Sequence, residues 1–392
     1  MMRYYSTQTL RGFDSYKYRA LDTSPLSIYV MHPFWDRVVT LAPPWLAPNT
    51  LTFLGFILAA SNFLITCYYD WYFYASSPTH PEVAPISKWV WLVMLVFHFG
   101  SHTLDGIDGK QAKRTKSSSP LGELFDHGVD SLSTVFMPVA IFSAFGRDHA
   151  HGGGTIEMHV ITWCIFFTFA LSHWEKYNTQ ELYLPWGYDL ALLGIALVYL
   201  LSGSIGVHLW QRDVIPGYSV VSCLTIIVVF ANFVLSFPVS LNNIYAKYSP
   251  VNQLKYGFLD GMAPLLSVAL LALFSTSWLF FSQNNIAKME PRLFLWHQGV
   301  LFSSHLCRVI IAQMTSTKVQ LLNWMMYPYI LMVSCLLFLP PQIVTSSLEL
   351  NTLYIFSTLV TMAHLHFGIC VVREIAESLN VSVFSIRKSR VS

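Results

Sequence analysis

The sequence predicts an all-α polytopic membrane protein with about ten transmembrane helices. Of its 392 residues, 54% are hydrophobic and 11% charged, against about 25% charged in ordinary soluble domains. Apolar runs of about 20 residues recur along the chain, each long enough to cross a bilayer as a helix. The cations divide unevenly between the connections. Of 23 lysines and arginines, 17 fall on one side of the topology, five on the other, and Arg308 inside a span. By the positive-inside rule this places both termini in the cytosol.

Residues 1–48 carry basic residues (Arg3, Arg11, Lys17, Arg19, Arg37) among aromatics (Tyr18, Tyr29, Phe34, Trp35), with apolar patches broken by prolines. This composition suits short amphipathic helices lying in the cytosolic interface. The start is polar and basic, without the apolar core of a cleavable signal peptide. APNTLTFLG then opens the first span, with Asn49 at the helix start, where Asn is a good cap. The expected spans are 51–69, 88–109, 121–145, 156–177, 187–207, 218–240, 258–281, 293–315, 322–340 and 351–373. A cytosolic tail, 374–392, follows. Net charge is +2, which gives bulk nucleic-acid binding no support. The six cysteines lie in apolar stretches without a C-x-x-C spacing, so neither a zinc site nor a disulfide framework is indicated.

The stretch from Asp105 to Asp130, DGIDGKQAKRTKSSSPLGELFDHGVD, holds four aspartates in two pairs, Asp105 with Asp108 and Asp126 with Asp130. Spacings of three and four residues put each pair on one helix face. The pairs sit near the ends of two hydrophobic helices, joined by a short basic loop with Lys110, Lys113, Arg114 and Lys116. An unpaired carboxylate in apolar surroundings costs several kcal/mol or neutralises itself. A divalent cation resolves this, and all-oxygen ligands suit Mg2+, Mn2+ or Ca2+ rather than Zn2+. Two pairs suggest two ions. The alternative is a solvated acidic helix end neutralised by the nearby lysines.

The pattern resembles the signature of the CDP-alcohol phosphotransferases, D-x2-D-G-x2-A-R-x8-G-x3-D-x3-D. Here it falls on Asp105, Asp108, Gly109, Ala112, Lys113, Gly122, Asp126 and Asp130, with every spacing kept. The family arginine is Lys113 here, with Arg114 next, so either Lys113 meets phosphate as a point charge or Arg114 takes that place. The resemblance implies that Asp105, Asp108, Asp126 and Asp130 hold two Mg2+ or Mn2+ ions. It also implies that Asn49, Thr52, Gly109, Lys113 or Arg114, and Glu123 meet the CDP-alcohol. Gly109 would let the nucleotide approach the backbone closely, and Gly122 would allow tight packing of the third span against its neighbour.

Further blocks, SPLSIYVMHPFWDRVV, SHWEKYNTQELYLPWGYD and the closing FSIRK, are similar to the eukaryotic ethanolamine-transferring branch of the family. The resemblance therefore implies transfer of phosphoethanolamine from CDP-ethanolamine to diacylglycerol in the endoplasmic reticulum or Golgi membrane, with the site facing the cytosol. His127 becomes the expected base; Asp130 is the competing candidate. By the same analogy 49–240 form the catalytic unit and 241–373 accessory helices for homodimerisation or lipid access. His173, Glu175 and Tyr177, at the end of the fourth span, are candidates for head-group selection. His305, Arg308, His364 and His366 are expected to make a structural hydrogen bond between late spans or to serve a subunit interface. Choline or dual specificity is the near alternative. An ion-coupled transporter is the remote one, which would spread its acids through the membrane rather than cluster them.

Overall fold

The computed structural model describes residues 3–148, 153–184, 187–247 and 256–386. Among the described residues, ten helices stand at the ten expected places. They are α1 (Pro48–Tyr69), α2 (Lys88–Arg114), α3 (Pro120–Phe145), α4 (Thr155–Thr179), α5 (Gly187–Ser204), α6 (Val220–Lys247, with a wide turn over Ala231–Ser236), α7 (Phe258–Phe281), α8 (Pro291–Thr315), α9 (Met326–Phe338) and α10 (Ser346–Ser378). Among the described residues, eight of them, α1 to α7 and α10, are long and apolar enough to cross a membrane.

The other two, α8 and α9, fall outside that criterion for different reasons. α9 has 13 residues, or about 20 Å of helix against about 30 Å of hydrocarbon. Pro340 and Pro341 stop it, since neither can continue a helix. α8 is long enough, but 21 of its 25 residues are buried, Arg292, His297, Gln298, His305 and Gln313 among them. It runs through the middle of the bundle, against α3, α4, α7 and α10. His305 Nε2 lies 3.1 Å from the Pro264 carbonyl of α7, and His364 Nε2 of α10 lies 3.1 Å from Ser303 Oγ. These are the structural bonds between late spans that the sequence suggests. Arg308 lies over the Phe367 ring at 4.0 Å, and His366 Nδ1 meets the Tyr4 hydroxyl instead, at 2.9 Å. All six cysteines are free.

The basic loop is mostly helix. α2 continues through Gln111, Ala112, Lys113 and Arg114, all good helix formers. It ends where Lys116 takes a left-handed φ of 54°. α3 then starts abruptly: Ser119 caps it by accepting from the Gly122 N–H, and Pro120 occupies the first turn. α1 packs on both α2 and α3, and α5 packs on α2. This puts the two aspartate-bearing helix ends side by side.

Residues 4–41 cross the same end of the bundle. The Tyr4 and Tyr5 backbone N–H groups donate to Glu374 of α10, and Phe13 is buried against α8 and α10. A strand, β1 (Ala20–Asp22), pairs in parallel with β2 (Leu182–Leu184), which follows α4. A helical run over Ser27–Val38 then buries Met31 and Trp35 against Leu51 and Ile107. Of the expected tail, 387–392 lie outside the described residues, as do Lys255 and Pro185–Trp186 of the SHWEKYNTQELYLPWGYD block.

Candidate active site

Asp105, Asp108 and Asp126 bring carboxylate oxygens within 4.8 Å of one another. Asp105 and Asp126 lie within hydrogen-bonding reach. Asp126 Oδ1 is buried without a hydrogen-bond partner among the described residues. Asp130 is close enough to Asp105 and Asp108 to feel their charge, and it lines a cavity of about 20 Å3 with Asp105, Thr52 and Tyr188. Four carboxylates so close repel one another, and a hard divalent cation suits such an all-oxygen donor set. The residues present therefore fit a metal site, with Asp105, Asp108 and Asp126 as its tightest group.

Neighbouring elements hold these carboxylates in place. Thr52 Oγ1 of α1 donates to Asp108 Oδ2, so Thr52 aims an acidic side chain rather than standing free for a nucleotide. The Tyr188 hydroxyl of α5 donates to Asp105 Oδ2 at 3.2 Å. Beside it, Asp189 accepts from Ser27 Oγ and lies 3.0 Å from His102 Nε2 of α2. That bond ties the N-terminal segment, α2 and α5 together. None of these partners has a local sequence signal, because they lie 56 to 162 residues apart.

The other expected contacts divide. Ala47 is the cap of α1 and Asn49 lies inside the first turn, so Asn49 is not the cap that its position in the sequence suggests. Its amide oxygen faces Gly122, 3.5 Å from where a Cβ would stand. That is an ordinary contact, so packing does not demand glycine at 122. Gly109 has open space around its Cβ position, with nothing within 4 Å.

At 100° per residue, Arg114 points 180° away from Asp105, whereas Lys113 falls about 40° from Gly109. Arg114 accordingly donates to the Val39 and Ala42 carbonyls, at 2.9 and 2.8 Å, and holds the N-terminal segment. Lys113 is exposed near the open face. Glu123 is engaged: it pairs with Lys176 of α4 and accepts from the Tyr16 hydroxyl at 2.7 Å. Burial and then the Glu123 charge push the Tyr16 and Tyr18 hydroxyls well above their ordinary pKa, keeping both as donors.

His127 follows Asp126 on α3, at the edge of the cluster, its ring 5.2 Å from that of His173. Its Nε2 is 3.8 Å from Asp126 Oδ2, and its Nδ1 is buried without a partner among the described residues. Of the three head-group candidates, His173 alone faces the site. Glu175 accepts from Asn243 at 2.7 Å, toward α6. The Tyr177 hydroxyl accepts from the Val319 N–H, and its ring stacks on Tyr256 at 4.4 Å.

Residues 45–236 match the model of the CDP-alcohol phosphatidyltransferase family. The chain is 42% identical to human ethanolaminephosphotransferase 1 over 386 residues, covering 98% of this chain and 95% of that one. It is 29% identical to choline/ethanolaminephosphotransferase 1 of Arabidopsis thaliana, over 99% of both chains. Saccharomyces cerevisiae cholinephosphotransferase 1 is 39% identical over 176 residues, 45% of this chain and 41% of that one. On the matched signature, the clustered carboxylates and this similarity over nearly the full length, the chain belongs to the CDP-alcohol phosphatidyltransferase family.

Proposed function

We propose that this chain transfers phosphoethanolamine from CDP-ethanolamine to diacylglycerol, giving phosphatidylethanolamine and CMP. The observation that carries it is the cluster of Asp105, Asp108 and Asp126, with Asp130 near it and His127 at its edge, in a chain 42% identical to human ethanolaminephosphotransferase 1. The diacylglycerol hydroxyl oxygen forms a bond to the β-phosphorus. The bond from that phosphorus to the bridging oxygen breaks, and CMP leaves with the oxygen. The hydroxyl proton passes to His127 Nδ1, the open ring nitrogen. Asp126, 3.8 Å from Nε2, then steadies the charged ring. Lys113 meets a phosphate oxygen as a point charge, and Gly109 leaves room for the nucleotide beside α2.

Asp105, Asp108, Asp126 and Asp130 hold two divalent ions, Mg2+ or Mn2+. When bound, these supply neutralisation of the diphosphate charge. In-line displacement needs positioning more than covalent help, so the chain's own contribution is the rigid frame around these groups. The aspartates face the cytosol, where CDP-alcohols are found, and the protein resides in the endoplasmic reticulum or Golgi membrane. Helices α1 to α6 form the catalytic unit. The exposed faces of α7, α9 and α10, which carry Leu273, Leu331 and Ile355, serve lipid access and pairing of two copies, with α8 packed inside.

Purified protein in lipid nanodiscs with diacylglycerol and Mg2+ or Mn2+ tests this by CMP release. Strong preference for CDP-ethanolamine over CDP-choline is expected, with turnover falling about 100- to 10,000-fold in His127→Ala. Equal rates would make it a dual enzyme. Full activity in the variant would move the base role to Asp130.

A further inference from the structure

Glu123, in the first turn of α3, is a buried carboxylate used on one side only. Its Oε1 takes both the Lys176 ammonium and the Tyr16 hydroxyl, the latter at 2.7 Å. Its Oε2 is buried without a hydrogen-bond partner among the described residues. The Lys176 side chain is 2% exposed and that of Glu123 8%. The Lys176 Nζ lies 4.8 Å from the centre of the Tyr18 ring and 5.7 Å from that of Tyr16. A carboxylate with two aromatic rings is the chemistry that binds an ammonium ion, and here a lysine of the protein fills it. Parallel pairing of β1 with β2 fixes the segment that carries both tyrosines.

The place of this cage links it to the reaction. Glu123 and His127 are four residues apart on α3, one above the other on the same face. The Tyr18 ring is 6.4 Å from the His127 ring. A head group whose phosphate lies beside His127 reaches Glu123 through a two-carbon linker along about one helical turn, ~5.4 Å.

We propose that Lys176 sets the head-group specificity of this enzyme by occupying the Glu123–Tyr16–Tyr18 cage, so that only the second oxygen of Glu123 remains for substrate. This rests on the transfer reaction proposed above and names how its substrate is chosen. A primary ammonium is small and carries three N–H donors, one of which satisfies Oε2. A trimethylammonium carries none, so it leaves that oxygen unpaired, and Lys176 holds the space its methyl groups need. A site that bonds an N–H discriminates strongly against an analogue lacking it.

The test compares kcat/KM for CDP-ethanolamine and CDP-choline in nanodiscs, for the wild type, Lys176→Ala and Lys176→Met. Both variants remove the ammonium from the cage and leave the Glu123 carboxylate, and the alanine also frees the volume. The expected result is a rise of about tenfold or more in the choline-to-ethanolamine ratio for Lys176→Ala, with a smaller rise for Lys176→Met. Adding Tyr18→Leu to Lys176→Ala should lower the gained choline activity, because a quaternary ammonium then loses a ring. An active Lys176→Ala enzyme with the wild-type ratio would overturn the proposal. If these lysine variants do not fold, Lys176→Arg keeps the ion pair and fills the cage at least as fully, so the choline-to-ethanolamine ratio should stay at or below that of the wild type. A ratio raised several-fold in Lys176→Arg would overturn the proposal equally. Absence of CMP from either donor with wild-type protein would instead overturn the transfer reaction itself.

Discussion

Two glycines flank Asp108 on α2, and alanine at each should have opposite effects. A Cβ on Gly106 would stand 2.1 Å from Trp35 Cε2 and 2.5 Å from its Cδ2 and Nε1. Trp35 is 6% exposed and packs with Met31, Leu51 and Ile107, so the ring has nowhere to go without moving the N-terminal segment. Overpacking of this kind costs ~1–3 kcal/mol where the neighbour can shift. It approaches the ~3–5 kcal/mol of losing a buried Trp where the ring must leave. Gly109 has no atom within 4 Å of its Cβ position. Alanine there costs nothing in packing and gains about 0.8–1 kcal/mol of helix propensity. It also places a methyl group where the nucleotide is proposed to lie. Thermal unfolding in detergent and CMP-release kinetics separate the two. Gly106→Ala should lower Tm, and combining it with Trp35→Ala should cost less than the sum of the two single changes, a favourable coupling energy. Gly109→Ala should keep or raise Tm while KM for the CDP-alcohol rises. If Gly109→Ala leaves KM unchanged, the nucleotide does not lie against that face. If Gly106→Ala leaves Tm unchanged, Trp35 does not seal α2 as described.

Three further outcomes follow from the same geometry. Lys113→Ala should raise KM for the CDP-alcohol with Tm unchanged, whereas Arg114→Ala should lower Tm by releasing the Val39 and Ala42 carbonyls; the reverse pattern would make Arg114 the phosphate ligand. Chelation should abolish CMP release, and Mg2+ or Mn2+ should restore it in wild-type protein but not in Asp126→Asn, as read by turnover and by metal-dependent thermal stabilisation. Arg292→Met should destabilise by about 3 kcal/mol or more, because its guanidinium donates to the Asp70 and Trp71 carbonyls, Thr66 and Ser143; a Tm within a degree of wild type would refute its role as the tie between α8 and α1.

What the sequence made legible was whatever is repeated or local. Apolar runs located ten helices, because length and composition set the helices a bilayer can hold. The spacing of the aspartates located the acidic cluster, because 3.6 residues per turn puts each pair on one face. The same arithmetic places Arg114 opposite Asp105 once the helix runs past Gly109, the expected end of the second span. The partners of the cluster were illegible for a different reason. Thr52, Tyr188 and Asp189 meet their acceptors or donors across tens of residues, and no local pattern marks a threonine as the one that holds an aspartate. Asn49 misled because a cap is recognised by residue type, whereas Pro48 at the first helical position had already moved the cap to Ala47.

α8 shows why a count of spans from hydropathy fails inside a bundle. A hydropathy window averages all faces of a helix, as though each of them met lipid. A helix ringed by protein presents nothing to lipid, so its composition is free to follow its neighbours. Arg292 can then sit at 1% exposure because four oxygens from α1, the segment that follows it and α3 surround its guanidinium. His297 and His305 can be fully enclosed because each finds a carbonyl within 3.3 Å. The same reasoning applies at the active site. Glu123, Lys176, Tyr16, His127 and the aspartates are tolerable at the end of an apolar bundle because each offsets the charge or open valence of another. The oxygens and nitrogen left over among them, on Glu123, Asp126 and His127, are therefore the atoms that the proposed reaction assigns to substrate and metal.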